Sequence, residues 1–171
     1  MKILKYKEMR ALYLKSDDVK NIIDTGFTST MTILNPKTIN DKKVNENSFL
    51  VNDDFEINPE CFSAFYTDRI FKVIRCIYVA VPSRGKGLAK LMISEFQKNF
   101  IFGNEKFLQI GVEYTNNINF TNLERLYSSQ SFKRTATPAR HPGNKYFHDF
   151  FWSPRNFEII QRNGQVIPEI R

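Results

Sequence analysis

The residues best suited to chemistry form a basic turn that contains two glycines, Arg84-Gly85-Lys86-Gly87-Leu88-Ala89. The turn follows an apolar segment, Phe71 to Val81, which predicts a strand buried on both faces and stopped by Pro82. The segment after the turn predicts a helix from apolar residues at helical spacing, Leu88, Leu91, Met92, Phe96 and Phe100. A glycine turn between a strand and a helix start predicts an anion site, since unpaired N–H groups and the helix dipole attract negative charge.

A diphosphate is the anion that suits this turn. Gly85 and Gly87 would let it approach the backbone, and Arg84 and Lys86 would supply mobile positive charge. The turn lacks both the P-loop pattern and the Gly-x-Gly-x-x-Gly pattern of dinucleotide folds. The structural alternative is an ordinary exposed turn.

The turn resembles the acyl-coenzyme A signature of the GNAT superfamily of N-acyltransferases, Arg/Gln-x-x-Gly-x-Gly/Ala. That family also places its signature between an apolar strand and an amphipathic helix, although Pro82 here lies one residue nearer Arg84 than is usual. The resemblance implies acetyl-CoA as acyl donor and no metal. It implies coenzyme contacts from Val79, Ala80, Val81, Arg84, Gly85, Lys86, Gly87, Leu88 and Ala89.

A second segment, Leu126-Tyr127-Ser128-Ser129-Gln130-Ser131-Phe132, resembles the GNAT signature Leu-Tyr-x-x-x-Gly-Phe. Ser131 replaces the usual glycine, at a cost on the order of 1 kcal/mol if its backbone is left-handed. Asn119 lies one position before the customary asparagine and is the candidate coenzyme contact of this helix. The resemblance implies that Tyr127 is the general acid; otherwise Tyr127 is an aromatic residue that packs its ring.

Other polar residues complete the candidate site. Glu113, near the end of a predicted strand from Phe107 to Tyr114, is the candidate base, or else a solvated carboxylate. His141, in a predicted loop before the last strand, is a candidate for facing the acceptor, whereas His148 is interpreted as structural, paired with a neighbouring acid. The resemblance further implies that the strand ending at Val81 splays from its neighbour, so that amides near Val79 to Val81 are free to hold pantetheine and polarise the thioester.

The resemblance implies an α/β (α+β) fold with a GNAT-like mixed, mostly antiparallel central sheet flanked by helices. We predict one domain over 1–171, with a core of about 1–153 and a hairpin extension, 154–171, signalled by Asn163-Gly164. Polar residues predict a loop over 28–47. Patterning predicts the remaining strands as Lys2–Tyr6, Ser48–Val51, Cys61–Tyr66, Ser131–Thr135 and Lys145–Trp152.

Besides the helix after the basic turn, two regions of the sequence predict helices. Patterning predicts an early helix over Met9–Leu14 and another from an N-cap at Ser16 to a stop at Gly26. The Thr121-x-x-Glu124 capping box predicts the start of a helix that turns Leu123, Leu126 and Tyr127 inward. In the GNAT fold the early helices form a wall of the acceptor site; here they are equally well explained by packing.

Composition indicates which partners and which cellular compartment to expect. The 171 residues carry a formal net charge of +7, which favours an anionic partner such as coenzyme A or a nucleic acid. Cys61 and Cys76 lack metal-ligand spacing and predict buried free thiols. No apolar run long enough for a membrane and no signal segment is seen, so we expect a cytoplasmic protein.

We therefore expect an acetyl-CoA-dependent N-acetyltransferase that acetylates a primary amine by direct attack in a ternary complex. The acceptor stays open among a protein amine, a small amine such as a polyamine, and aminoacyl-tRNA. Two alternatives remain: a non-catalytic acyl-CoA-binding or interaction module, for instance a homodimer paired through the hairpin edge, and a nucleic-acid-binding domain that uses the basic turn.

Overall fold

The structure, a computed structural model, describes residues 1–26, 47–99, 105–113, 118–141, 145–163 and 165–171. Most of the predicted 28–47 loop, together with Phe100 and Tyr114, lies outside the described residues. The chain divides into two compact units. Unit 1 comprises Met1–Thr67 and Ile74–Lys98, and unit 2 comprises Asp68–Val73 and Asn99–Arg171. The single-domain organisation stays a prediction.

The described residues contain ten strands and four α-helices. The strands are β1 (Lys2–Lys5), β2 (Ser48–Val51), β3 (Cys61–Asp68), β4 (Phe71–Val79), β5 (Phe107–Glu113), β6 (Lys133–Arg134), β7 (Ala139–His141), β8 (Lys145–Trp152), β9 (Phe157–Arg162) and β10 (Gln165–Ile170). The helices are α1 (Tyr6–Lys15), α2 (Asp17–Gly26), α3 (Leu88–Lys98) and α4 (Ile118–Ser129). Strands β1–β8 form a mixed, mostly antiparallel sheet, and β9 and β10 form a separate hairpin, which confirms the predicted fold class.

In unit 1, α1 and α2 cover strands β1 to β3. Both helices place apolar side chains in one buried cluster with the strands. The cluster contains Leu4, Tyr6, Met9, Val19, Ile22, Ile23, Phe49, Val51, Phe55, Phe62 and Ala64. The Ser16 hydroxyl accepts a hydrogen bond from the Val19 amide at 3.3 Å, which confirms the predicted N-cap of α2. Helix α1 begins at Tyr6, three residues before its predicted start, and the amide of Lys5 there donates to Glu8 Oε2 at 2.6 Å.

Strand β4 ends two residues earlier than predicted, at Val79. Pro82 lies in a short 3₁₀ turn, Val81–Ser83, and the Ser83 amide closes that turn on the Ala80 carbonyl at 2.9 Å. The turn removes Val81 from the strand. Ile74 is buried while the other residues of β4 are half-buried, so the prediction of full burial on both faces holds only at Ile74.

The two cysteines lie in unit 1 and both are free thiols, as predicted. Cys61 is buried and Cys76 is half-buried. Burial raises the pKa of the Cys61 thiol to about 11 and that of the Cys76 thiol to about 12. Both are therefore protonated and unreactive at neutral pH.

Unit 2 is organised around β8, which pairs antiparallel with β5, β6 and β7. Two predictions for this region are wrong in detail. The strand predicted over Ser131–Thr135 is shorter in the structure and spans only Lys133–Arg134, because Ser131 belongs to a helix cap. The predicted loop before β8 contains a strand, Ala139–His141, which pairs with β8 from Ala139 opposite Phe147 to His141 opposite Lys145.

The predicted C-terminal hairpin is confirmed and packs inside unit 2. Strands β9 and β10 pair in register from Phe157 opposite Ile170 to Arg162 opposite Gln165. Asn163 has the left-handed φ of 51° that a tight hairpin loop requires. Phe157 is buried, with its ring 5.4 Å from that of Phe107, so the hairpin adds apolar burial to this unit.

Helix α4 starts at Ile118, three residues before Thr121, the N-cap of the predicted capping box. Phe120 is buried, with its ring 5.7 Å from the His148 ring, and this packing places it inside the helix. The buried face then follows Phe120 and Tyr127 at helical spacing. Leu123, predicted to point inward, is instead 37% exposed, whereas Tyr127 is buried as predicted.

The end of α4 is a Schellman cap with a left-handed residue at Ser131, φ 64°. The Ser131 amide donates to the Ser128 carbonyl at 3.1 Å, and the Phe132 amide donates to the Tyr127 carbonyl at 3.1 Å. The Phe132 ring lies 5.8 Å from the Tyr127 ring, the apolar contact that accompanies this cap. Ser131 is therefore left-handed, and the cost stated above for a serine in place of the usual glycine applies.

Replacing Ser131 with glycine should stabilise the protein. A glycine accepts a φ of 64° without the Cβ clash, and this relief exceeds the added entropy of the unfolded chain. We expect the free energy of unfolding to rise by about 1 kcal/mol in urea denaturation. The matched control is Ser128→Gly inside the helix, which should lose about 0.5–1 kcal/mol. A Ser131→Gly variant no more stable than the parent contradicts the assigned cap.

Candidate functional site

The basic turn has the backbone that its glycines predict. Gly85 has φ 82° and Gly87 has φ 80°, both in the left-handed region that residues with a Cβ avoid. Apart from the glycine itself and its two chain neighbours, no described atom lies within 4 Å of a Cβ built at either position. The open side of the turn is therefore accessible to a ligand that approaches the main chain.

Helix α3 begins directly after the turn. The Leu91 amide donates to the Gly87 carbonyl at 3.0 Å, the first bond of the helix. The amides of Leu88, Ala89 and Lys90 precede this bond and have no acceptor one turn back within the helix. Together with the helix dipole, they make this end of α3 suited to an anion. The described geometry thus fits the diphosphate predicted for this position.

The two cations of the turn, Arg84 and Lys86, are exposed and each contacts another group of unit 1. Arg84 donates from Nε to the Val79 carbonyl at 3.2 Å and lies 6.0 Å from the centre of the Tyr78 ring. Lys86 Nζ lies 3.0 Å from Glu60 Oε1. Both side chains are therefore directed by contacts within unit 1.

Glu60 connects several parts of the candidate coenzyme site. Its Oε1 accepts from the Ser83 hydroxyl at 2.8 Å and from Lys86, and its backbone carbonyl accepts from the Ala80 amide at 2.8 Å. The Ser83 hydrogen bond and then Lys86 hold the pKa of the Glu60 carboxyl below its usual range. The carboxylate therefore stays charged at neutral pH and fixes the turn.

Glu60 was not among the residues predicted from the sequence. Its partners Ser83 and Lys86 lie 23 and 26 residues further along the chain, and no local motif marks the position. The Ala80 bond also corrects an expectation, because that amide already pairs with the Glu60 carbonyl and is not free for a thioester. Successive amides of an extended chain alternate in direction, so the amide of Val79, the last residue of β4, points away from that bond.

A groove of about 420 Å³ lies beside the end of β4 in unit 1. Helix α2 forms one wall, residues 57–59 form another, and Tyr78 with residues 80–82 forms the rest. A Cβ built at Gly26 would lie 2.6 Å from the Phe62 ring and 2.7 Å from Tyr78, so the glycine lets the end of α2 approach these side chains. Two of the candidate coenzyme residues, Ala80 and Val81, thus line a groove beside the turn.

Unit 2 places Tyr127 on the buried face of α4. Its side chain is 3% exposed, and its ring lies 5.3 Å from the Phe150 ring. The Schellman cap fixes the end of the helix that carries it. This packing sets the orientation of the ring and is also what a purely structural aromatic residue would show.

The other sequence-predicted residues of unit 2 occupy separate elements. Glu113 is the last residue of β5, exposed and opposite Phe147 of β8, and Asn119 lies exposed in the first turn of α4. His141 ends β7. His148 is buried, as its structural interpretation predicted; Nδ1 lies 2.9 Å from the Thr135 carbonyl, and burial lowers the pKa of the imidazole. The Thr135 hydroxyl oxygen also lies 3.4 Å from this nitrogen.

Within the described ranges, no group of three His, Cys, Asp or Glu side chains is placed to hold a metal ion. None of the described helices combines the length and the hydropathy needed to cross a lipid bilayer.

Comparison with known proteins identifies the fold. No protein-family model and no curated sequence matches the chain. Solved structures do match, among them an IAA acetyltransferase from Bacillus cereus, with 13% identity, 89% of this chain and 97% of that chain covered, and a TM-score of 0.60. The spermidine/spermine N-acetyltransferase SpeG from Vibrio cholerae has 13% identity, covers 89% and 91%, and has a TM-score of 0.58.

A Bacillus subtilis acetyltransferase in complex with CoA is 12% identical, with 81% of this chain and 92% of that chain covered and a TM-score of 0.55. The chain therefore has the fold of the GNAT acetyltransferases, as the two sequence motifs indicated. At these identities the similarity establishes the architecture, and the function has to be argued from the site.

Glu60→Gln should strengthen the binding of coenzyme A to the basic turn. Glutamine keeps an acceptor oxygen for Ser83 and Lys86 but removes a negative charge 3.0 Å from Lys86. We expect the affinity to rise by about two- to fivefold in isothermal titration calorimetry, because the ammonium is no longer neutralised. The control is Glu56→Gln, which removes the exposed pair with Lys2. An unchanged affinity in Glu60→Gln means that Lys86 does not reach the ligand.

Proposed function

We propose that the protein is an acetyl-CoA-dependent N-acetyltransferase that acetylates a primary amine by direct attack in a ternary complex. The observation that carries the proposal is the left-handed glycine turn at the start of α3, whose open amides fit a diphosphate. The GNAT fold supports the same activity class. The acetyl-CoA diphosphate would be held by the amides of residues 85–89, with Arg84 and Lys86 beside them.

Besides coenzyme binding, transfer needs a base that removes the proton of the ammonium, a donor that polarises the thioester carbonyl, and an acid that protonates the leaving thiolate. The neutral acceptor nitrogen attacks the thioester carbonyl carbon, the carbon–sulfur bond breaks, and the leaving thiolate takes a proton. In the proposal, the Val79 or Val81 amide polarises the carbonyl, and Tyr127 donates the proton to sulfur. Glu113, directly or through water, accepts the proton of the ammonium. Asn119 would contact the coenzyme and His141 the acceptor.

The principal rival is an acyl-CoA-binding module without turnover. It is favoured by the burial of Tyr127, whose ring packs on Phe132 and Phe150 as a structural residue would. A homodimer through the edge of the C-terminal hairpin belongs to this rival. A nucleic-acid-binding domain that uses the basic turn predicts RNA binding that coenzyme A does not displace, and this competition separates it from both other functions.

Gly87→Glu should abolish coenzyme binding while the protein stays folded. The new carboxylate would stand on the open side of the turn, where it repels a diphosphate. We expect the affinity for acetyl-CoA to fall by about a hundredfold or more in calorimetry. Gly87→Gln, with the same size and the same backbone strain at φ 80°, should bind better than Gly87→Glu and melt at the same temperature. Undiminished affinity in Gly87→Glu removes the turn from the site.

Tyr127→Phe should separate binding from turnover. If the hydroxyl protonates the thiolate, its loss lowers kcat by about a hundredfold or more and leaves acetyl-CoA affinity unchanged. The measurement is thiol release with acetyl-CoA and a panel of amines. Tyr146→Phe, which removes the hydroxyl of a tyrosine that is 48% exposed on β8, is the control. Equal turnover by parent and Tyr127→Phe would refute the role of this residue, and no turnover by the parent would favour the binding module.

A further inference from the structure

The groove beside β4 differs in charge from the rest of the protein. The chain has 25 lysines and arginines and a net charge of +7, yet no lysine, arginine or histidine is among the described residues that line the groove. A single carboxylate, that of Asp18, lies on the α2 wall. The described lining residues thus offer no cation to a phosphate group, whereas they offer an ammonium group one opposite charge.

Two strongly exposed apolar side chains line the same groove. Ile57 is 86% exposed and Val81 is 65% exposed. Pro59 and Pro82 extend this apolar surface, while Asn21 and Thr25 follow Asp18 along the exposed face of α2. One side of the groove is thus apolar and the other is polar with one negative charge. A matching ligand carries a cation next to an apolar group.

The exposure of these side chains also bears on the size of the ligand. A site for a small molecule usually encloses most of the ligand surface. Ile57 and Val81 remain largely open to solvent, so this groove lies on the surface and a chain bound in it can continue beyond its ends. A polypeptide has this property and a small amine does not. A polyamine would in addition present several charges to one carboxylate.

We propose that the acceptor is the amino terminus of a polypeptide that begins with an apolar residue. Its ammonium group would approach Asp18, its first side chain would pack on Ile57 and Val81, and the rest of the chain would leave the groove. The inference rests on the proposed function, because Ala80 and Val81 line the groove and also belong to the candidate coenzyme site. The α-amine would lose its proton before it attacks the thioester.

The test compares acceptors by mass spectrometry of the acetylated product. The probes are a ten-residue peptide with an N-terminal leucine, the same peptide with an N-terminal aspartate, and an N-terminally blocked peptide with one lysine. Spermidine and an aminoacyl-tRNA represent the other acceptor classes. We expect the leucine peptide to have the highest kcat/KM, roughly tenfold or more above the aspartate peptide.

Two pairs of variants locate the contact. Ile57→Ser should raise the KM for the leucine peptide roughly tenfold, while Leu14→Ser, at a side chain that is 60% exposed outside the groove, should not. Asp18→Asn should raise the same KM roughly twofold to fivefold, while Asp17→Asn, on the same helical turn but outside the lining, should not. Thermal melting checks that all four variants fold.

The outcomes distinguish this inference from the proposed function. Calorimetry with acetyl-CoA comes first, and failure to bind overturns both. If the coenzyme binds and spermidine, the blocked lysine peptide or aminoacyl-tRNA is the best acceptor, the proposed activity stands and the peptide inference is wrong. The inference is also wrong if Ile57→Ser and Asp18→Asn behave like their controls. If no probe is acetylated, both the inference and the proposed turnover fail.

Discussion

The structure depends most on how the chain turns from β4 into α3. Pro82 ends the extended segment, and left-handed backbone at Gly85 and Gly87 then redirects the chain so that α3 starts with unpaired amides. A Cβ at either glycine would strain this backbone, and a side chain there would occupy the open side. The candidate coenzyme site is thus mostly main chain, and the side chains around it serve to hold the main chain in place.

Glu60 illustrates that supporting role. Its backbone carbonyl fixes Ala80, and its carboxylate holds Ser83 and Lys86, so the beginning of β3 and the basic turn are joined by hydrogen bonds within unit 1. A charged carboxylate beside a proposed diphosphate site has a cost, since it neutralises a cation that would otherwise attract the ligand. The Glu60 carboxylate would thus weaken the proposed diphosphate binding while it fixes the turn.

Most of the elements predicted correctly from the sequence depend on local residue patterns. The N-cap at Ser16, the strand Ser48–Val51, the strand that begins at Phe107 and the Asn163-Gly164 hairpin each depend on neighbours a few residues apart, and each is confirmed. Some errors came from local turns and caps, as at the end of β4 and at Ser131, and others occurred where distant packing decided the outcome. Phe120 packs on His148, and this contact extends α4 toward its N-terminus. The segment predicted as a capping box therefore lies inside the helix.

The site shows the same division. The glycine turn could be read from six adjacent residues, because left-handed glycines before a helix are a local property. Glu60 and the groove could not, since they bring together residues from α2, the 57–59 segment and β4 that share no sequence pattern. The exposure of Ile57 is likewise a property of the folded unit.

The most direct measurement is a crystal structure of the protein with acetyl-CoA. The account predicts diphosphate oxygens within hydrogen-bonding distance of the amides of residues 85–89 and the Tyr127 hydroxyl directed at the sulfur. A diphosphate bound elsewhere on the molecule, with the amides at the start of α3 in contact with solvent, would contradict the account.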